Sequence, residues 1–342
     1  MFKLAYKNFS LATHIKSISL KKIIFAQFDL TYKCDYSCNY CYTICFNKEK
    51  YLKKELDTNK IKAILDKLYN EGILWLTFSG GDPLTRSDFL EIYKYSKEKG
   101  FLISILTNGY RIDLKLIDFF KKYRPFLIEI TLNSINPKTF KKIIQKNLNS
   151  EKVLSVIKKL KKEGLPLKIK TQVIKNNLDE IPKIKKFLQK LNLKFYPSSI
   201  IYPRLNKNKF PCSLRIDKEK FFKKNLGCNQ NFKKHFKFFP CTVLNTEGIQ
   251  IDPYGNVFLC ELIRKPKVNI LRCDLKTLYN KLIDFLKDLE NRYKDKCLCA
   301  RCRYIYSCMW CPGKAYLETN SFIKPIDYYC LQKEILNYGK SI

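Results

Sequence analysis

Residues 23–41 read IIFAQFDLTYKCDYSCNYC, and this stretch decides the architecture. Its first nine residues, Ile23–Thr31, are apolar, β-branched and aromatic enough to form a largely buried strand. Cys34, Cys38 and Cys41 follow at once, spaced C-x3-C-x2-C. Five further runs repeat the strand pattern: Ile73–Ser79, Phe101–Thr107, Phe126–Leu132, Leu167–Ile174 and Lys194–Ser199. Between them lie segments with apolar residues at helical spacing, such as Ile61, Ile64, Leu65 and Leu68, or Val153, Val156, Ile157 and Leu160. Repeated strand-then-helix units predict an α/β fold with a parallel sheet and helices outside it. Six units are too few for a closed eight-stranded barrel, so a partial (β/α)6 TIM-like barrel or an open sheet fits better. Such folds place their chemistry at the C-terminal ends of the strands, where the cysteine loop falls.

The rest of the chain changes character near residues 200–225. Helical periodicity returns around Leu278, Leu282, Phe285, Leu286 and Leu289, and 11 of the 15 cysteines lie between 212 and 330. Hydrophobic residues make up 46% of the 342, which excludes a disordered chain. No stretch approaches the ~20 apolar residues of a membrane-spanning helix. The first 22 residues, interrupted by Lys3, Lys7 and Lys16, have no signal-peptide apolar block. The expected compartment is the cytoplasm, where disulfides rarely persist, so fifteen cysteines point to metal ligation. Lys+Arg is 66 against 31 Asp+Glu, a formal charge of +35. The lysines are spread along the whole chain, and Lys, Ile, Asn, Phe and Tyr all have A/T-rich codons. No RNP, KH or C2H2 pattern accompanies the charge, so base composition accounts for it better than a nucleic-acid partner does.

Three thiolates on one short loop can hold a corner of an iron–sulfur cluster and leave one iron open, as a catalytic metal site requires. Cys45 is a further thiol nearby. The spacing resembles the signature of the radical S-adenosylmethionine (SAM) enzymes. The resemblance implies a 4Fe–4S cluster on Cys34, Cys38 and Cys41 that binds and reductively cleaves SAM. It also implies a reductant such as flavodoxin or ferredoxin. Ser79-Gly80-Gly81-Asp82-Pro83, at the end of the second strand, is similar to the family's G-G-E-P motif, with Asp in place of Glu. On that basis Gly80, Gly81, Asp82 and Pro83 bind SAM, with Asp82 at its amino group. Thr107-Asn108-Gly109 matches a T-N-G motif, and Tyr40 the aromatic whose backbone meets adenine. Thr131 and Asn133 stand where relatives place polar groups near the SAM methionine and ribose, though the residues differ.

The later cysteines follow the order of the SPASM extension of that family: Cys241, then Gly255 and Cys260, then Cys299-x2-Cys302-x5-Cys308-x2-Cys311, then Cys330. One step departs, x2 between Cys308 and Cys311 where the family has x3. The spacing by itself also admits a zinc ribbon. The SPASM resemblance implies two auxiliary 4Fe–4S clusters. One takes Cys299, Cys302, Cys308 and Cys330. The other takes Cys241, Cys260 and Cys311, with Cys228 as fourth ligand or an iron left open. Cys212, Cys273 and Cys297 read as free thiols. The expected domains are an N-terminal extension (1–22), a radical SAM core (23–210) and a SPASM domain (225–335).

SPASM relatives mostly act on peptides or proteins. The leading expectation is hydrogen abstraction from a peptide or protein, giving a thioether or carbon–carbon cross-link. One alternative is a sulfatase-maturating enzyme that makes formylglycine; there Glu261, where that subgroup has Asp, would be the general base. Tetrapyrrole or other small-molecule modification is another. A non-enzymatic zinc or iron–sulfur protein that binds nucleic acid is the alternative of a different class.

Overall fold

The computed structural model describes residues 5–20, 22–218, 248–302 and 308–330; Cys228 and Cys241 lie outside them. Helix α1 (Tyr6–Leu20) precedes strand β1 (Phe25–Thr31). The short α2 (Glu49–Leu52) and α3 (Thr58–Asn70) lead to β2 (Trp75–Gly80), and α4 (Phe89–Glu98) leads to β3 (Leu102–Thr107). Next come α5 (Leu114–Lys122), β4 (Leu127–Thr131), α6 (Pro137–Ile144), α7 (Ser150–Lys162), β5 (Leu167–Gln172), α8 (Ile181–Lys190) and β6 (Phe195–Ser198). The C-terminal part adds β7 (Gly248–Ile251), β8 (Asn256–Phe258), β9 (Val268–Asn269), α9 (Leu275–Lys296) and α10 (Pro312–Thr319).

The strands form one sheet in the order β6-β5-β4-β3-β2-β1-β7-β8-β9. From β6 to β7 every pair is parallel, and β7–β8–β9 is antiparallel. The six expected strands are present with slightly shifted ends, as a partial barrel. Local signals start the helices. Asp57, Asp113, Asn149 and Asp274 cap α3, α5, α7 and α9 through side-chain oxygens, and Asn136 does so before Pro137 of α6. One side of each strand packs on these helices: Ala26, Phe28 and Leu30 of β1 join Ile61, Ile64, Leu65 and Leu68 of α3 in the main core. Truncating one such buried Ile or Leu to Ala costs about 2–5 kcal/mol.

Two elements lie beyond the sequence reading. Strand β7 (GIQI) is short and unalternating, yet it pairs with the free edge of β1, Phe25 opposite Gly248. Helix α1 has little amphipathic pattern. It is held at the start of β2, where the Trp75 indole N–H donates to the Tyr6 hydroxyl at 3.1 Å and His14 stacks on the indole. The C-terminal region also has an apolar core of its own, with Leu286, Leu289, Tyr293, Trp310, Ile326 and Tyr329 buried together.

Candidate active site

Strand β1 ends at Thr31, and the next ten residues carry the cysteine loop. Backbone bonds from Ser37 to Ile144 and from Asn39 to Ile143 pin its far side to the end of α6. Its near side is pinned by the end of β2: Gly81 N–H donates to the Thr31 carbonyl at 2.8 Å, and Asp82 N–H to the Lys33 carbonyl at 2.9 Å. This approach explains the two glycines. A Cβ on Gly80 would lie 2.1 Å from the Thr31 carbonyl oxygen, and one on Gly81 2.4 Å from that of Lys33. Gly80 also has φ +121, where side chains are strained.

The Cys34 sulfur accepts the Tyr36 N–H at 3.4 Å and faces the Asn108 side-chain amide at 3.7 Å. Burial, then the charge of Asp82 and of the neighbouring thiols, pushes the Cys34 thiol well up; burial and Cys41 push Cys38 up to about 12. Asp82 is fully buried. Its carboxylate accepts the Leu84 N–H (3.0 Å), the Thr107 hydroxyl (2.8 Å) and the Asn108 N–H (2.9 Å), tying β2 to β3. Burial raises its pKa to about 6, with those hydrogen bonds pulling the other way.

These groups open on a cavity of about 610 Å³. Cys34, Cys38, Cys41 and Tyr40 line one side, with Gly80, Gly81, Thr107 and Asn108 beside them. Thr131 and Asn133 continue the wall, and the Asn133 amide donates to the Tyr40 hydroxyl at 2.5 Å. Asp82 and Pro83 do not reach the wall: the carboxylate lies behind the glycines and Pro83 opens a short turn. The opposite wall comes from the C-terminal region, with Cys260 and Glu261. Glu261 accepts hydrogen bonds from the hydroxyls of Tyr42 and Tyr202, both at 2.8 Å. Burial and the Glu261 charge hold both phenols well above their usual range. Glu129, Lys170, Gln172 and Gln250 complete the interior.

Residues 29–188 match the radical SAM superfamily. A Methanocaldococcus jannaschii protein, whose name assigns it to the glycyl-radical activating enzymes, is 30% identical over 223 residues. That match covers 61% of this chain and 82% of the other. The chain belongs to the radical SAM superfamily. A Methanosarcina barkeri Fe-coproporphyrin III synthase is 26% identical over 247 residues, 71% of this chain but only 60% of that protein. In fold, the radical SAM enzyme is similar to Streptococcus suis SuiB bound to SAM, with TM-score 0.67, 15% identity, and 95% and 83% of the two chains covered.

Membership makes the protein an enzyme and implies a 4Fe–4S cluster and SAM. The donor set fits: three buried thiols resist ionising by themselves and become thiolates when a cation takes them. Among the described residues no three His, Cys, Asp or Glu side chains converge on a single ion. A multi-iron cluster takes its thiolates at separate corners, so the two facts agree. No described helix is long and apolar enough to cross a membrane.

The remaining cysteines separate by the direction of their hydrogen bonds. Cys260, Cys308 and Cys311 accept backbone N–H groups, from Leu262 (3.4 Å), Trp310 (3.2 Å) and Lys314 (3.4 Å), as Cys34 does. Cys45, Cys273 and Cys297 instead donate, to the carbonyls of Tyr42 (3.7 Å), Asn269 (3.6 Å) and Ile323 (2.8 Å). A thiolate can only accept, and a thiol can donate. Cys308 feels the charges of Cys330 and Cys302, and Cys299 those of Cys297, Cys308 and Cys302. The chain thus brings Cys299, Cys302, Cys308 and Cys330 into one neighbourhood. Tyr42 and Tyr202 escaped the sequence reading. Tyr42, a polar aromatic directly after Cys41, carried a signal; Tyr202 sits in an aperiodic stretch that carried none.

Proposed function

We propose that this enzyme oxidises or cross-links a side chain of a peptide or protein substrate, with Glu261 as the proton acceptor. The observation that carries the reading is Glu261 itself. Its carboxylate sits on the wall of the cavity that Cys34, Cys38 and Cys41 line, and two phenols orient it. When bound, the clusters and SAM supply a 5′-deoxyadenosyl radical that takes a substrate hydrogen atom, and accept the second electron. The remaining proton needs a base within reach, and the Glu261 position suits that role. Gly80, Gly81, Thr107, Asn108, Tyr40, Thr131 and Asn133 form the SAM side of the cavity in this reading.

The cavity volume also supports a side chain. About 610 Å³ lies within the ~300–1,000 Å³ that house one drug-sized ligand. With SAM seated there, the remaining room suits a side chain better than a macrocycle. Streptococcus suis SuiB bound to its precursor peptide SuiA has the same fold, at TM-score 0.68. Formylglycine formation from Cys or Ser is one instance of this chemistry. We further assign the C-terminal region as a SPASM domain with two auxiliary 4Fe–4S clusters, on Cys299, Cys302, Cys308 and Cys330, and on Cys260, Cys311 and Cys241, with Cys228 the candidate fourth ligand. A cytoplasmic setting with flavodoxin or ferredoxin as reductant goes with this reading. The relation to the Methanosarcina enzyme carries a second reading, a tetrapyrrole substrate.

The test is anaerobic incubation of the reconstituted enzyme with SAM and reductant. One arm offers a pool of short peptides containing Cys, Ser and Lys, the other Fe-coproporphyrin III. The expected result is a peptide lighter by two hydrogens, formed with 5′-deoxyadenosine, in the first arm alone. Conversion of the porphyrin with no change in any peptide would replace this reading by the second. Cys34, Cys38 and Cys41 replaced together by Ala serve as the control, abolishing 5′-deoxyadenosine in both arms.

A further inference from the structure

We infer that Asp82 is a positioning residue that acts through Asn108 on the Cys34 sulfur, and is not a side chain that touches SAM. The inference rests on the reading of Cys34 as a cluster ligand. Four contacts close a ring. The Lys33 carbonyl accepts the Asp82 N–H at 2.9 Å. Asp82 Oδ2 accepts the Asn108 N–H at 2.9 Å and the Thr107 hydroxyl at 2.8 Å. The Asn108 side-chain Nδ2 faces Cys34 Sγ at 3.7 Å. Cys34 then follows Lys33 in the chain. Asn108 has no freedom to turn its amide round, because its Oδ1 accepts the Tyr110 N–H at 2.8 Å and so Nδ2 is the end offered to sulfur.

Asp82 meanwhile has no exposure and is absent from the cavity wall, whereas Asn108 is on it. Both carboxylate oxygens already hold protein donors. The side chain is one methylene shorter than a glutamate, and that length is what keeps it behind the glycines. Its work is to fix the backbone of Thr107 and Asn108 against the loop that carries Cys34. An N–H donor on a ligating thiolate stabilises added negative charge, and so makes a cluster easier to reduce.

The experiment uses the full chain, reconstituted with iron and sulfide, and reads three quantities: cluster content, midpoint potential by EPR-monitored titration, and SAM affinity by calorimetry. Asn108→Leu removes the donor at similar size. It is expected to keep full iron and to shift the potential to more negative values. Asp82→Asn keeps an acceptor for the Asn108 N–H but removes the charge an ammonium would need. Its SAM affinity is expected to stay within about twofold of the native value. Asp82→Ala releases Asn108. Measured against the uncharged Asn variant, it is expected to shift the potential in the same direction as Asn108→Leu, with no further shift in the double variant. A tenfold or larger loss of SAM affinity in Asp82→Asn would make Asp82 a SAM ligand and overturn the inference. An unchanged potential in Asn108→Leu with full iron would overturn it too. If the native protein takes up no 4Fe–4S cluster, the underlying reading fails first, and that outcome is seen before any variant is made.

Discussion

The Tyr42 hydroxyl donates to Glu261 Oε2 at 2.8 Å, across 219 residues of sequence. Tyr42 follows Cys41 and Glu261 follows Cys260, so this one bond joins the backbones of two cysteine sites. The Tyr202 hydroxyl holds the other carboxylate oxygen. Glu261 is therefore oriented from both sides, and its lone pairs are aimed by residues that do no chemistry themselves.

Glu261→Gln is expected to lower peptide conversion about 10²–10⁴-fold, the range a positioned general base contributes. Formation of 5′-deoxyadenosine without substrate should stay near the native rate. Tyr42→Phe and Tyr202→Phe should each give a milder loss, because a phenol bonded to a carboxylate is worth about 1.5–3 kcal/mol. Their pH–rate profiles should also move to higher pH, since a carboxylate stripped of a donor holds its proton longer. Conversion and uncoupled SAM cleavage measured side by side check this; equal loss of both in Glu261→Gln would remove its role as base.

Hydrogen-bond direction gives a prediction for each cysteine. Cys308→Ala and Cys260→Ala should each lower iron by up to one cluster. Cys45→Ala, Cys273→Ala and Cys297→Ala should keep the native iron content. Iron and sulfide analysis of the five reconstituted variants decides it, and iron loss on replacing Cys273 would break the correlation.

Asp29 provides a pH test of stability. Burial pushes its carboxyl up to about 7, with the Arg264 guanidinium pulling it down and Glu261 pushing it up again. The unfolded carboxyl ionises near ~4. Between those values the folded chain holds one more proton than the unfolded chain, so stability falls as pH rises, by about 1.4 kcal/mol per unit. The contribution is complete below pH ~4 and lost by about pH 7. Asp29→Asn keeps the neutral shape and should flatten this part of the profile. Unfolding midpoints of both proteins between about pH 5 and 7 should converge at the acid end; parallel curves would contradict the assignment.

Arg215 and Glu318 form a buried two-pronged ion pair at 3.0 and 2.6 Å, and Arg215 also donates to the Ile201 carbonyl. The pair fastens the segment after β6 to α10. Glu318→Ala leaves a buried guanidinium without its counter-charge, which costs about 3–5 kcal/mol. Limited proteolysis should then cut the C-terminal region sooner than the barrel. Replacing both partners by Leu and Met should recover much of the loss, because the unpaired charge is gone.

The barrel was legible because each of its units signals locally. Ile61, Ile64, Leu65 and Leu68 repeat at helical spacing, Asp57 caps the helix they form, and an apolar run follows. The SAM-side residues were legible as short motifs at strand ends. Strand β7 was not, since four residues with no alternation pair with β1 only through tertiary contact. Nor was the recessed place of the Asp82 carboxylate. It depends on how closely β2 presses against Thr31 and Lys33, a distance that no spacing of residue types encodes.

The pairing of β7 with β1 bears on how the molecule is assembled. Strand β1 carries the cysteine loop at its end, and one of its edges is covered only by a segment made much later in synthesis. Until that segment arrives, the emerging half-barrel keeps one unpaired border beside its most reactive thiols. Long-range parallel pairing of this kind closes slowly. The last step of folding is thus also the step that shuts the cysteine loop in, and metal loading has its widest access before that closure.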